Sequence, residues 1–167
     1  MGTRNLTVVK DLQGTTKIAQ YGQWDGYPSY SGIQALSFLR GKTNVDNLLA
    51  KLDNVEFVSD EEVDQLYKQF ESTDWENKEF LNAYPGLHRD TGIGILAVVA
   101  NATAPIKTVD NTEFANDSLF CEGIYEVDFS TNKFTSNFND IVAMYDLDNL
   151  PTDEEYLSAM GVELETA

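Results

Sequence analysis

Leu6 and Val8 alternate with Thr7 and Val9, and beyond Asp11-Leu12-Gln13-Gly14 a second extended run follows from Lys17 to Tyr21. Two such runs about a glycine-bearing turn predict a β-hairpin. The chain then enters Gly22-Gln23-Trp24-Asp25-Gly26-Tyr27-Pro28, a loop by its Gly and Pro content yet crowded with aromatic side chains. From Ile33 to Arg40 the residues suit a docked helix that Gly41 would end. Thr43 is placed to cap a second helix, in which Val45, Leu48, Leu49 and Leu52 recur at helical spacing. Ser59-Asp60-Glu61-Glu62 reads as a capping box, followed by a stripe of Val63, Leu66, Tyr67 and Phe70.

The pattern then weakens. Trp75 to Tyr84 fits one short helix closed by Pro85-Gly86. Thr91 to Ala102 predicts a buried helix through Ile93, Leu96, Ala97 and Ala100, although Gly92 and Gly94 also allow a buried strand. From Cys121 the period changes to two. Tyr125, Val127 and Phe129 share one face, and Ile124, Glu126 and Asp128 the other. Ser130-Thr131-Asn132 turns the chain into Lys133 to Phe138, with Phe134 and Phe138 on one face, a second hairpin. Pro151-Thr152-Asp153-Glu154-Glu155 opens a C-terminal helix with another capping box. The expected class is α+β: an antiparallel sheet from the N-terminal and C-terminal hairpins, packed against a central helical segment. No linker or repeat divides the chain, so one domain over 1–167 is expected, with an acidic helix and tail from about residue 140.

Charge changes the picture most. Residues 1–55 hold six Lys/Arg against four Asp/Glu, a balance of +2, whereas residues 56–167 hold five against twenty-four, a balance of −19. Such a surface repels a phosphate backbone and argues against direct nucleic-acid binding. It suits solubility, and equally attraction to a basic partner. No apolar run approaches the length of a membrane span, and Met1 to Lys10 lacks a secretory pattern. A lone cysteine excludes an internal disulfide and fits a reducing cytoplasm. With one Cys and one His, no Cys/His metal site of the usual kind can form in the chain, and no cofactor is expected.

Three segments hold candidate chemistry. The loop from Tyr21 through Gln23, Trp24, Asp25 and Tyr27 offers a ligand- or partner-binding surface, or else a structured turn whose aromatics plug the core. His88-Arg89-Asp90-Thr91-Gly92 contains the chain's only histidine, the natural acid or base near neutral pH, with capping of the next helix as the structural alternative. It matches neither a kinase loop, lacking the following Asn and an Asp-Phe-Gly, nor an aspartic protease, where an apolar residue stands in place of Arg89. Asp117-Ser118-Leu119-Phe120-Cys121-Glu122 supplies a thiol that is a nucleophile beside His88 or a small buried hydrophobe elsewhere. Asp146-Leu147-Asp148 begins like a calcium loop but lacks its ligands and glycine. Asn5, Asn101 and Asn116 match glycosylation sequons that matter only after secretion.

Met1-Gly2-Thr3-Arg4-Asn5-Leu6, the Tyr21–Pro28 loop, Arg89-Asp90-Thr91-Gly92 and Asp117–Glu122 followed by Tyr125 together resemble a family of uncharacterised bacterial and phage proteins over residues 1 to about 138. The resemblance implies a cytoplasmic protein of a bacterial or phage-infected cell and marks these motifs as a shared site. A fainter likeness, to N-terminal-nucleophile hydrolases, departs at the decisive place, since removal of Met1 exposes Gly2, which has no nucleophile.

The expected function is that of an acidic phage- or mobile-element-type accessory protein. It would bind and inhibit a basic nucleic-acid-handling host protein, in the manner of an anti-CRISPR protein. Contact would come through the loop and through Asp60, Glu61, Asp64, Asp153, Glu154 and Glu155. The alternatives are a small hydrolase using His88 with Cys121 or Asp90, helped by Arg4 and Asp25, and a protein that sequesters a small molecule.

Overall fold

The structure is a computed structural model that describes residues 2–69, 78–117 and 119–162. It has the expected α+β class. The first hairpin pairs β1 (Asn5–Lys10) with β2 (Thr16–Gly22). Its turn is held by Asp11, whose Oδ1 accepts from the amides of Gln13 and Thr15 at 2.9 Å each. A wide helical turn over Pro28–Gly32 runs directly into α1 (Ile33–Leu39), and α2 (Lys42–Lys51) follows. Next come β3 (Val55–Phe57), α3 (Asp60–Lys68), α4 (Lys78–Ala83), α5 (Ile95–Ala100) and β4 (Ile106–Thr108). The chain closes with β5 (Gly123–Asp128), β6 (Lys133–Phe138), β7 (Ile141–Asp146) and α6 (Asp153–Ala159).

One sheet in the order β2-β1-β5-β6-β7 joins the two hairpins. Where they meet, β1 and β5 run parallel, from Asn5 opposite Gly123 to Lys10 opposite Asp128. The long helical crossover between them returns the chain to the end where β1 began, which a parallel pairing requires. β7 departs from the expected acidic tail: residues 141–146 form a third antiparallel strand of that half. Its signals are Ala143 and Tyr145 alternating with Val142 and Met144, and an Asn139-Asp140 turn with φ of 49° and 69°. The short parallel pair β3–β4 has only three residues a strand and too little pattern to be visible in the sequence.

The sheet's inner face supplies Val9, Ile18, Tyr125, Val127 and Phe134 to a core closed by Leu36 of α1, Leu48 of α2, Ile95 and Val99 of α5 and Tyr156 of α6. Each such buried side chain contributes about 1.5–3 kcal/mol of transfer free energy. α2 begins at Lys42 with Gly41 at its cap position, two residues before the expected cap, so Thr43 stands inside the first turn. α5 is the expected buried helix, but a tight turn over Gly92–Gly94 precedes it and resets its phase. The buried face is therefore Ile95, Leu96, Val99 and Ala100, and Ala97 points outward. Ser59 caps α3 by accepting from Glu62 N at 3.2 Å, yet the reciprocal bond of a capping box is not made, because Glu62 instead binds Lys107 at 2.8 Å. The Thr152–Glu155 box of α6 is complete. Phe70 and Trp75 lie outside the described residues.

Candidate functional site

Residues of the four segments, Thr3 to Asn5, Gly22 to Gly26, Arg89 to Gly92 and Phe120 to Glu122, meet where β1 starts, β2 ends and β5 starts. Asn5 is fully buried, and its Nδ2 donates to Thr3 O at 3.2 Å and to Trp24 O at 3.0 Å. Gly26 N donates to Thr3 O at 2.9 Å, and Tyr125 Oη donates to Gly26 O at 2.5 Å. Burial pushes the Tyr125 phenol above its ordinary range, with nearby Tyr156 adding to the shift. Gln23 N donates to Arg89 O at 2.9 Å, and Trp24 Nε1 donates to Asp90 Oδ1 at 2.8 Å. Gly22 is obligatory here, since a Cβ on it would lie 2.9 Å from Gly92 Cα. On the other side, Arg4 O accepts from Glu122 N and Gly123 N at 3.1 and 3.3 Å, and the Arg4 guanidinium lies 5.1 Å from the Phe120 ring centre.

These bonds fix the backbone of the Tyr21–Pro28 loop while leaving the Trp24 and Tyr27 side chains about half-exposed. Trp24 is 46% exposed, Tyr27 48% and Tyr30 49%. Arg89 stands over the Trp24 ring at 5.9 Å, and Tyr27 leans on Phe138 of β6 with ring centres 5.9 Å apart. Asp25 is exposed, with a left-handed φ of 55°, and its carbonyl accepts from Ser31 Oγ at 2.6 Å. Tyr21 turns inward, its ring edge on Phe114 at 5.0 Å and its hydroxyl bonded to Gln23 Oε1. Tyr30 and Arg89 extend the surface beyond the expected residues. For Tyr30 the only signal in the sequence was its nearness to Pro28.

Of the catalytic candidates, His88 and Asp90 stand together, and Cys121 packs in a separate cluster. His88 is buried, with Asp90 N donating to its Nδ1 at 3.1 Å and an Asp90 carboxylate oxygen 3.7 Å from the same atom. It lines a cleft of about 380 Å³ with Gln20, Tyr21, Asp60 and Leu87. Asp25 and Asp90 line a separate recess of about 150 Å³ beside Trp24. Cys121 lines neither the His88 cleft nor the Asp25–Asp90 recess. Cys121 packs with Leu6, Ala19 and Phe114 on the outer side of the sheet, its Sγ 3.7 Å from Gly123 O. Burial, with Asp117 and Glu122 nearby, pushes its thiol up to about 11, so at neutral pH it is protonated and a weak nucleophile. Gly2 is pressed onto the Gln23 carbonyl and the Trp24 ring, where a Cβ would lie 2.6 Å from Cε3, so no nucleophilic side chain fits at that position.

The acidic candidates are exposed. Asp60, Glu61 and Asp64 lie on α3, and Asp153, Glu154 and Glu155 in the first turn of α6. Two of them have structural duties: Asp153 pairs with Arg40 at 2.7 Å, and Glu155 completes the capping box. Among the described residues no cluster of His, Cys, Asp and Glu could hold a metal ion, and no helix is long and apolar enough to cross a membrane. Against protein-family models, curated proteins and solved structures the chain shows no significant match.

Proposed function

We propose that this protein is a binding protein that engages a basic partner through the aromatic surface of Trp24, Tyr27 and Tyr30, with its acidic helices steering the encounter. The observation that supports this reading is the fixed loop. Trp, Tyr and Arg dominate binding energy at protein interfaces, and a loop already held in place loses little entropy on association. Here Trp24 and Tyr27 stand about half-exposed on a backbone tied at Gln23, Trp24, Asp25 and Gly26, with Tyr30 exposed beside them and the half-buried Arg89 over the Trp24 ring. The net charge of −17 accelerates approach to a positively charged protein and repels nucleic acid. A groove built for phosphates is the surface that such acids complement. The partner class we infer is therefore a nucleic-acid-handling protein, with inhibition by competition as the consequence. The resemblance to bacterial and phage proteins adds the proposal that it is a host defence nuclease of the CRISPR kind.

Capture from bacterial lysate with three baits tests this reading: the wild type, Trp24→Ala, and a Glu61→Gln/Asp64→Asn/Glu154→Gln variant. The expected outcome is one basic nucleic-acid-binding protein held by the wild type and lost with Trp24→Ala. The amide variant should weaken its capture most at low salt. Equal retention on all three baits would overturn the reading. With the partner in hand, its affinity for nucleic acid should fall as this protein is added.

A further inference from the structure

The five-stranded sheet has two edges, and they differ. Along β2 the segment after β4 lies against the edge, where Asn111 N donates to Ala19 O at 3.1 Å. Along β7 the phase of the ladder shows which backbone groups are left over. Leu147 N donates to Asn132 O at 2.9 Å, so the bonded pairs that follow are Tyr145–Phe134, Ala143–Ser136 and Ile141–Phe138. The bond from Asn139 N to Glu122 O sets the same phase from the other side of β6. Val142 and Met144 therefore turn both N–H and C=O away from β6, and among the described residues nothing bonds to those groups. Their side chains stand on the outer face, 56% and 60% exposed. Asp146 also turns outward, but its carbonyl accepts from Asn149 N at 3.0 Å. α6 packs beneath the strand, with Tyr156 against Tyr145, rather than along this edge. Folded proteins usually block an open edge with a Lys, a Pro or a bulge. β7 reads Ile-Val-Ala-Met-Tyr-Asp and its register with β6 is unbroken, so it has none of these.

We propose that β7 accepts a further strand, an extended segment of a basic protein that is apolar in its middle and carries Lys or Arg at both ends. The proposal rests on the binding reading above and gives the form in which the partner arrives. Backbone bonds to Val142 and Met144 supply the attachment, as in other cases of strand addition. The ends of β7 select the charge. The uncharged run over residues 141–145 lies between Asp140 on one side and Asp146 and Asp148 on the other. Of these acids Asp146 is bonded to Lys133, and Asp148 accepts from Asn132 Nδ2 at 2.9 Å. A second copy is the wrong occupant for the same reason. Pairing Val142 with Met144 of a copy sets Asp140 opposite Asp146 at both ends, between chains of net charge −17 each. The position fits the partner as well. Ile141 lies opposite Phe138, on which Tyr27 leans with ring centres 5.9 Å apart, so the open edge begins where the aromatic surface ends.

Hydrogen exchange of the wild-type protein comes first and needs no ligand. The Val142 and Met144 amides should exchange at least about tenfold faster than those of Ala143 and Tyr145, which are bonded to β6. Equal protection at all four would mean that the edge is already covered, and the proposal falls. The probe is a terminally capped peptide of alternating valine and threonine with a lysine at each end, and its control has glutamate at those ends. The lysine peptide should shift and protect the Val142 and Met144 amides with a Kd of about 1 mM or tighter. The glutamate peptide should bind at least about threefold more weakly, a gap that closes with added salt. Met144→Pro blocks the edge without removing a bond to β6, so it should abolish binding while Ala143 and Tyr145 stay protected. No shift in the wild type at about 5 mM lysine peptide, or equal binding of the two peptides, overturns the proposal. So does a dimer in sedimentation that Met144→Pro dissolves, since a second copy then holds the edge. Trp24→Ala should bind the peptide as the wild type does, which separates the two readings. Peptide binding with lysate capture indifferent to Trp24 would overturn the aromatic-surface reading alone. Capture that depends on Trp24 without peptide binding would overturn the strand proposal alone.

Discussion

The indole nitrogen of Trp24 donates to Asp90 at 2.8 Å across 66 residues of sequence. Together with the Gln23 N to Arg89 O bond next to it, this contact latches the aromatic loop to the segment that opens α5. The loop's position is thus set by the helical half of the molecule as well as by the strand before it. A side chain so held presents one face to solvent in one orientation, which is the property a recognition surface needs.

Removing the latch should free the indole without unfolding the protein. In a Trp75→Phe background, which leaves Trp24 as the only tryptophan, Asp90→Ala should raise acrylamide quenching about twofold. Asp90→Asn, which retains an acceptor, should not. Both variants should lose less than about 1 kcal/mol in urea denaturation, because the bond is exposed. Equal quenching in the two would show that the carboxylate charge, rather than the hydrogen bond, holds the ring.

A second close relationship supports the fold itself. Tyr156 of α6 is fully buried, bonded to Ser136 Oγ at 2.7 Å, and lies against Gly32 so closely that a Cβ there would sit 2.6 Å from its ring Cζ. Gly32→Ala must displace Tyr156 or move the turn into α1, an overpacking cost of about 1–3 kcal/mol and a fall in Tm of several degrees. Tyr156→Phe should cost about 1 kcal/mol from the lost hydroxyl bond. An unchanged Tm in Gly32→Ala would mean that α6 packs elsewhere.

Alternating positions made both hairpins legible, and helical stripes made α2 and α3 legible, because one-sided burial writes its period into the chain. β7 was obscured by its neighbours: eight acids and no base over residues 140–167 read as a solvated tail, although the alternation from Val142 to Tyr145 was present. The phase of α5 was lost because two glycines start a tighter turn that no period reports. For the site, the loop residues could be named from composition. The contact of Gly2, Asn5, Gly22 and Gly92 depends on strand register, which a sequence without pairing does not contain.

The pH response of Cys121 follows from its surroundings. Burial raises its folded-state thiol from 9.0 to about 11, so the unfolded chain releases that proton first. The associated stability is therefore intact below about pH 9 and lost as pH rises through about 11. Alkylation by iodoacetamide, which needs the thiolate, should be slow at neutral pH and rise with a midpoint near 11. A midpoint at or below the free-thiol value would show that Cys121 sits in an activating environment, and would return weight to a catalytic role.

The acids should separate by what they touch. Asp153 pairs with Arg40 and Glu155 closes the capping box of α6, so Asp153→Asn/Glu155→Gln should cost about 1–2 kcal/mol and lower Tm by several degrees. Glu61, Asp64 and Glu154 are exposed and have no ion-pair partner among the described residues. Changing these three to amides removes like-charge repulsion from a chain of net charge −17, which offsets the helix-end attraction that Glu61 and Glu154 lose. That triple variant should keep its Tm within about 2 °C of the wild type. Added salt should raise the wild-type Tm more than the variant's, since screening and neutralisation relieve the same repulsion. If the triple variant falls as far as the Asp153/Glu155 pair, the acidic surface belongs to the folding of this protein, and the charge-steering part of its proposed function loses its basis.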